Sequence, residues 1–500
     1  MGKTINKIKD NYEKYHKVYV FILFMFLLAG SEFTRYVRAN DELWNFQSIY
    51  KMYNGFTLYK DVNVIITPLF FTIGNGIFHL LGANVFIFRV YNMLIFGALY
   101  LSIYILFKIL NMSKTKALIN TLIVSLLCKD LVSGGANYNI LVMVFVIIGI
   151  IDILRREKHI LVQGIIIFLL FITKQNVAVC YAMGFILYEF WANKENHHKI
   201  KTIVISFTTT IILLIPLTIY SAVIGNFKDF IDYAFLGMNE FTNKNMSAYF
   251  SYFCIFIGVI LGIITTSIVL LKTKKTNLRR EDSKNMRTLA SFGVSMLLIA
   301  FPIFNIYHML LSVLISVLFL LYILEVLILR QIVEEKIMQK ALKILIPIII
   351  IVCIVFPFIR YKKMPDRIFN KGVTYNNPYW GAPMEEELRK NIETITKYII
   401  DNNNKVIVLS HKAALYAIPL KMSNGAMDLP FSGNMGSGGE DGMIKKLSEQ
   451  SGFKILITTN GKFWQESDKV IDYVKTNFKH SGEIEEFSIY ETYGKTLIKD

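Results

Sequence analysis

Apolar runs long enough to cross a bilayer recur through the first 360 residues, separated by short polar loops, and this repetition restricts the fold more than any other feature. A chain that crosses lipid must satisfy its backbone polar groups internally, so such runs specify helices. Hydrophobic residues fill 54% of the 500 positions and the mean hydropathy is +0.45, which is too apolar for a soluble protein. From Arg360 onward the pattern turns amphipathic, with Gly and Asn clusters, as in a soluble domain able to bury its own core. The expected fold is a polytopic α-helical membrane protein of about 11 transmembrane helices with a C-terminal soluble α/β domain. Its expected divisions are a cytoplasmic tail over 1–17, a transmembrane domain over 18–359 with a first outer loop at 31–84, and an extracytoplasmic domain over 360–500.

The spans are expected at 18–30, 85–107, 117–131, 138–154, 160–173, 176–191, 202–224, 248–271, 288–304, 309–329 and 342–359. Val18–Gly30 follows Lys3, Lys7, Lys9, Lys14 and Lys17, the pattern of a signal anchor; Ala29-Gly30-Ser31 resembles a cleavage site, but an uncleaved anchor fits the many spans downstream. Val64–Gly82 is long enough to span, yet it contains Pro68, Gly74, Asn75, Gly76 and His79. Counting it as a span inverts every later loop, so it is expected to be an interfacial or re-entrant helix. The loops then assigned to the inside hold 25 Lys and Arg, against nine in the outside loops that precede the soluble domain. This bias places the chain in the plasma membrane with its N-terminus cytoplasmic and its C-terminal domain outside.

A net charge of +17 can signal nucleic acid, but the excess sits in short loops where a topology signal explains it, so no nucleic-acid partner is expected. Cys128, Cys180, Cys254 and Cys353 lie in or beside apolar runs without metal-ligand spacing, as small core residues do. In the C-terminal domain, helices are expected at Met384–Asp401, Met443–Glu449 and Asp468–Phe478, and strands at Lys405–Ser410, Lys454–Thr459 and Glu485–Tyr490. The run Gly433–Gly439 matches no phosphate-binding motif and is expected to be a flexible loop.

Asn40-Asp41-Glu42-Leu43-Trp44 follows directly on the first apolar run and sets two carboxylates at a membrane surface, where charge is costly and usually functional. Leu43, Phe46, Tyr50 and Tyr53 then recur at helical spacing, so Asn45–Tyr53 reads as a surface helix ending at Asn54-Gly55. The same outer face would carry Lys60, Asp61, Arg89, Asn137-Tyr138-Asn139, Thr173-Lys174-Gln175 and Asn305-Ile306-Tyr307-His308. A carboxylate among cations and amides suits a reaction in which a base activates a hydroxyl while cations hold an anionic leaving group, with phosphate the favoured anion.

An Asp-Glu pair opening the first outer loop, a surface helix, a Gly55-x-x-Leu58-Tyr59-x-Asp61 segment, a Pro-led helix and Arg89 together resemble the GT-C superfamily of membrane glycosyltransferases, which includes protein O-mannosyltransferases and aminoarabinose transferases. The resemblance covers the architecture of the whole chain, with its motif content concentrated in residues 41–92. It implies a polyprenyl-phosphate sugar donor, a cell-envelope glycan, lipid or protein as acceptor, and inverting transfer on the outer face. Asp41 matches the family's catalytic carboxylate, with Glu42 in support. Arg89, Lys174, Gln175, His308, Asp61, Asn139 and Lys60 are the corresponding candidates for substrate and phosphate binding. The chain departs from the family at Ile66-Thr67-Pro68, where several members carry Lys-Pro-Pro, and at Asn305, where an acidic residue is common. Asp41, Glu42 and Asp61 offer oxygen ligands, but with no compact DxD motif the expectation is a metal-independent enzyme without a cofactor.

Each candidate also has a structural explanation. Asp41 and Glu42 suit the first turn of a helix capped by Asn40. Lys174 is placed to snorkel, Arg89 to mark an interface, His308 to end a helix, Asp61 to form a turn and Asn137 to cap a span. Two other classes stay open: a transporter or flippase of a lipid-linked or anionic solute, and a binding or assembly subunit without catalysis. The first is disfavoured because the centres of the later spans are nearly free of charge, where transporters concentrate polar groups.

Overall fold

The computed structural model describes residues 2–128, 137–155, 160–238, 279–301 and 306–326, isolated positions between 260 and 347, and most of 374–491. The described residues fall into two compact units. One is drawn from Met1–Thr34, Val90–Pro216 and Met246–Lys362; the other from Arg35–Arg89, Leu217–Asn245 and Lys363–Asp500.

Every described secondary-structure element of the first unit is helical. Across the described chain, four helical stretches are long and apolar enough to cross a membrane: Lys14–Thr34, Val85–Ile109, Lys199–Val223 and Tyr307–Leu324. They are compatible with a membrane protein. The first belongs to a continuous helix Gly2–Thr34, so the expected tail and span form one element. Other expected spans are shorter helices, at Lys114–Leu127, Tyr138–Leu154, Ile160–Phe171 and Gln175–Leu187. The expected spans 248–271 and 342–359 fall almost wholly outside the described residues, as do Cys254, Cys353 and Asn305.

Glycines let these helices approach closely, as small residues do where apolar attraction between helices is weak. A Cβ on Gly184 would lie 2.7 Å from the Phe292 ring, and one on Gly164 2.6 Å from the Thr209 side chain. A buried ion pair joins Lys116 to Glu325 at 2.9 Å. Nearby in sequence, the Tyr322 hydroxyl donates to Asp282 at 2.8 Å and accepts from Asn285 at 3.2 Å.

In the second unit, Asn40 caps the helix Asp41–Tyr53 by accepting from the Glu42 amide at 3.2 Å. The helix buries Leu43, Phe46, Ile49 and Tyr50, and Phe46 meets Phe78 at 5.6 Å and Phe88 at 5.8 Å. Phe78 lies on the helix Leu69–Leu81, whose 13 residues rise only about 20 Å, short of a hydrocarbon core of about 30 Å.

The C-terminal part holds a sheet of four strands, β1 Val406–Leu409, β2 Lys454–Thr458, β3 Lys479–Ile484 and β4 Phe487–Glu491, in the order β1-β2-β4-β3. β1 and β2 are parallel; β4 runs antiparallel to both β2 and β3. Helices Glu386–Asp401, Gly439–Ser448 and Asp468–Asn477 occupy the expected places. The helix Ala413–Leu420 and strand β3 were not expected: the helix contains Pro419, and β3 is a polar edge strand with Gly482 and no apolar alternation.

Residues 35–89 belong to the same compact unit as 363–500. The backbone amides of Val37 and Val85 donate to the carbonyls of Pro383 and Pro378, each at 2.9 Å. Asn63 donates to the carbonyls of Leu429 and Asn434, both at 3.0 Å, and Lys51 forms a buried ion pair with Asp428. The loop expected to be flexible is held by such bonds at its described positions. Asn434 accepts from Asn63, and the Ser437 amide donates to Asp232 at 3.1 Å.

Candidate functional site

The two adjacent carboxylates have opposite environments because successive helical residues point about 100° apart. Glu42 is 4% exposed and lies between two guanidinium groups. Arg35 Nη2 donates to its Oε1 at 2.6 Å, and Arg89 Nε to the same oxygen at 2.9 Å. Burial would raise the Glu42 pKa; the two arginines outweigh it and hold the carboxyl at about 2. Arg89 is fully buried, and its Nη1 has no hydrogen-bond partner. Asp41, by contrast, is exposed at the first helical position.

Lys60 is exposed beside Tyr59, which takes a left-handed φ of 70°. The Asp61 carboxylate accepts from the Thr57 amide at 2.8 Å, the bond of a turn-forming residue.

The remaining candidates lie in the other unit. Lys174, 9% exposed, donates from Nζ to Asn139 Oδ1 at 2.6 Å and lies 5.7 Å from the centre of the Tyr138 ring. Gln175 is buried at the first position of the following helix. His308 is half-buried in the helix Ile306–Leu324, within electrostatic reach of Lys174. Asn137, expected as a cap, makes no capping bond, and both atoms of its buried amide are without hydrogen-bond partners. The structure therefore groups Asp41, Glu42 and Arg89 within one unit and Asn139, Lys174 and His308 within the other.

Several residues had no signal in the sequence. Arg35 is one of the nine basic residues of the outer loops, and its role depends on the turn that brings it back onto Glu42. Lys51 and Asp428 are 377 positions apart. His411 and Glu466, 55 positions apart, form a pair at 2.9 Å from Nδ1 to Oε1. No local motif encodes contacts at such separations.

The chain matches no protein-family model, and no curated protein and no solved structure is similar to it.

Proposed function

We propose that the protein, a chain of about 11 membrane spans, is a membrane glycosyltransferase that moves a sugar from a polyprenyl phosphate to a cell-envelope acceptor on the extracytoplasmic face. The observation that carries this proposal is the division of labour at Asp41-Glu42. Glu42 is neutralised by Arg35 and Arg89 and fixes the start of its helix, while Asp41 stands exposed beside it. An exposed carboxylate on a held helix end is pre-positioned to meet a substrate hydroxyl.

In the proposed reaction Asp41 takes the proton of an acceptor hydroxyl. The hydroxyl oxygen bonds to the anomeric carbon from the face opposite the lipid, and the C–O bond to the polyprenyl phosphate breaks with its electron pair going to phosphate. Arg89 Nη1, an unpartnered buried donor in the same unit as Asp41, is the cationic donor suited to that phosphate. Lys174 Nζ, which Asn139 orients within the other unit, is a separate cation suited to an anionic lipid headgroup.

The test is transfer from a polyprenyl-phosphate sugar by purified protein in lipid nanodiscs. Asp41→Asn is expected to lose transfer by about 100-fold or more while the fold persists. Full activity in that variant overturns the assignment of Asp41 as base.

A further inference from the structure

Four rings from four separate segments of one compact unit gather at the carboxyl ends of the parallel strands β1 and β2. Trp44 lies 4.7 Å from Phe431 and 5.5 Å from Phe463, Phe431 lies 5.5 Å from Phe463, and His411 stacks on Phe463 at 5.1 Å with 26° between planes. His411 follows β1 by two residues. Its neighbour Ser410 accepts at 2.8 Å from Thr458, the last residue of β2. The crevice outside the carboxyl ends of parallel strands is where open α/β sheets bind ligands.

The imidazole is held in one orientation. Glu466 Oε1 accepts from the His411 backbone amide at 2.6 Å and faces Nδ1 at 2.9 Å, while Oε2 accepts from the Phe463 amide at 3.2 Å. Trp44 is tied to the same residue, donating from Nε1 to the His411 carbonyl at 3.0 Å. With Nδ1 turned to a carboxylate, Nε2 is the ring nitrogen that can accept from a ligand hydroxyl. The His411 side chain is 16% exposed, and Trp44 and Phe463 are half-exposed, so one edge of the cluster is open.

A half-exposed aromatic platform beside one fixed hydrogen-bond acceptor matches a pyranose ring, whose C–H face packs on aromatic surfaces and whose hydroxyls need directed partners. We infer that Trp44, Phe463 and His411 form a saccharide subsite: Trp44 and Phe463 pack on the sugar face, and His411 Nε2 accepts from a hydroxyl. Phe431 and Glu466, both buried, set the geometry of the three. Asp41 precedes Trp44 by three positions on the same helix, which places the two on neighbouring surface. That the bound sugar belongs to the acceptor rests on the transferase proposal above; the saccharide binding does not.

Full-length protein in nanodiscs is titrated with cellotriose, chitotriose and maltotriose, none carrying lipid phosphate, and followed by tryptophan fluorescence and saturation-transfer NMR. At least one is expected to bind with millimolar or tighter affinity. Trp44→Leu, Phe463→Leu and His411→Gln are each expected to weaken it at least fivefold; the near-isosteric His411→Gln, checked by an unchanged Tm, guards against loss of fold. Binding of none of the three, or binding untouched by all three variants, overturns the subsite. Variant-sensitive binding by a protein without transfer activity supports the subsite and overturns the transferase proposal alone.

Discussion

Glu42 and Arg89, 47 positions apart, form a buried ion pair at 2.9 Å that fastens the start of one helix to the start of another. The expected catalytic pair is thereby two residues with different duties. One carboxylate is consumed by structure and the other faces outward.

Glu42→Gln leaves Arg89 buried without a charge partner, so a loss of about 3–5 kcal/mol is expected. Replacing both partners, as Glu42→Leu with Arg89→Met, is expected to recover much of it. Thermal unfolding in detergent checks this: a double variant no more stable than Glu42→Gln contradicts the pairing as the cause.

The pair also makes stability depend on pH. The Glu42 pKa falls from a usual 4.5 to about 2 on folding, so its contribution is fully present above 4.5 and is lost as the pH drops toward 2. Tm measured from pH 6 to pH 2 is expected to fall less steeply between 4.5 and 2 in Glu42→Gln than in the parent. Parallel curves refute the assignment.

Asp428, itself buried, accepts from Lys51, from the Ser423 hydroxyl at 3.1 Å and from the Asn424 amide at 2.9 Å. Lys51→Met strands that carboxylate. It is expected to cost about 3–5 kcal/mol and to speed limited proteolysis between residues 54 and 68 as the first loop detaches from residues 421–434. Unchanged cleavage rates argue that the other backbone bonds suffice.

Lys174→Met removes the cation that Asn139 orients. If Lys174 holds a donor phosphate, KM for the polyprenyl-phosphate sugar rises about tenfold, equivalent to about 1.4 kcal/mol, with a smaller change in kcat. An equal fall in kcat and kcat/KM assigns Lys174 to the transition state, and no change in either removes it from the site.

The helical class, and the features whose causes are local, are legible in the chain itself. Apolar runs dictate helices, Asn40 before Asp41 starts one, and Pro68 with Gly82 brackets the short helix Leu69–Leu81. β-branched runs located β1, β2 and β4 within a few residues, while polar β3 and the Pro-containing helix Ala413–Leu420 carried no such pattern. That Glu42 is the buried carboxylate and Asp41 the exposed one follows from tertiary packing. Periodicity reports which face of a helix is apolar; it does not say which charge from a distant segment will meet it. Likewise, nothing local joins Trp44 to His411 across 367 positions. That contact, like Lys51 with Asp428, exists because residues 35–89 fold into one unit with the C-terminal sheet, an outcome set by burial summed over the whole chain.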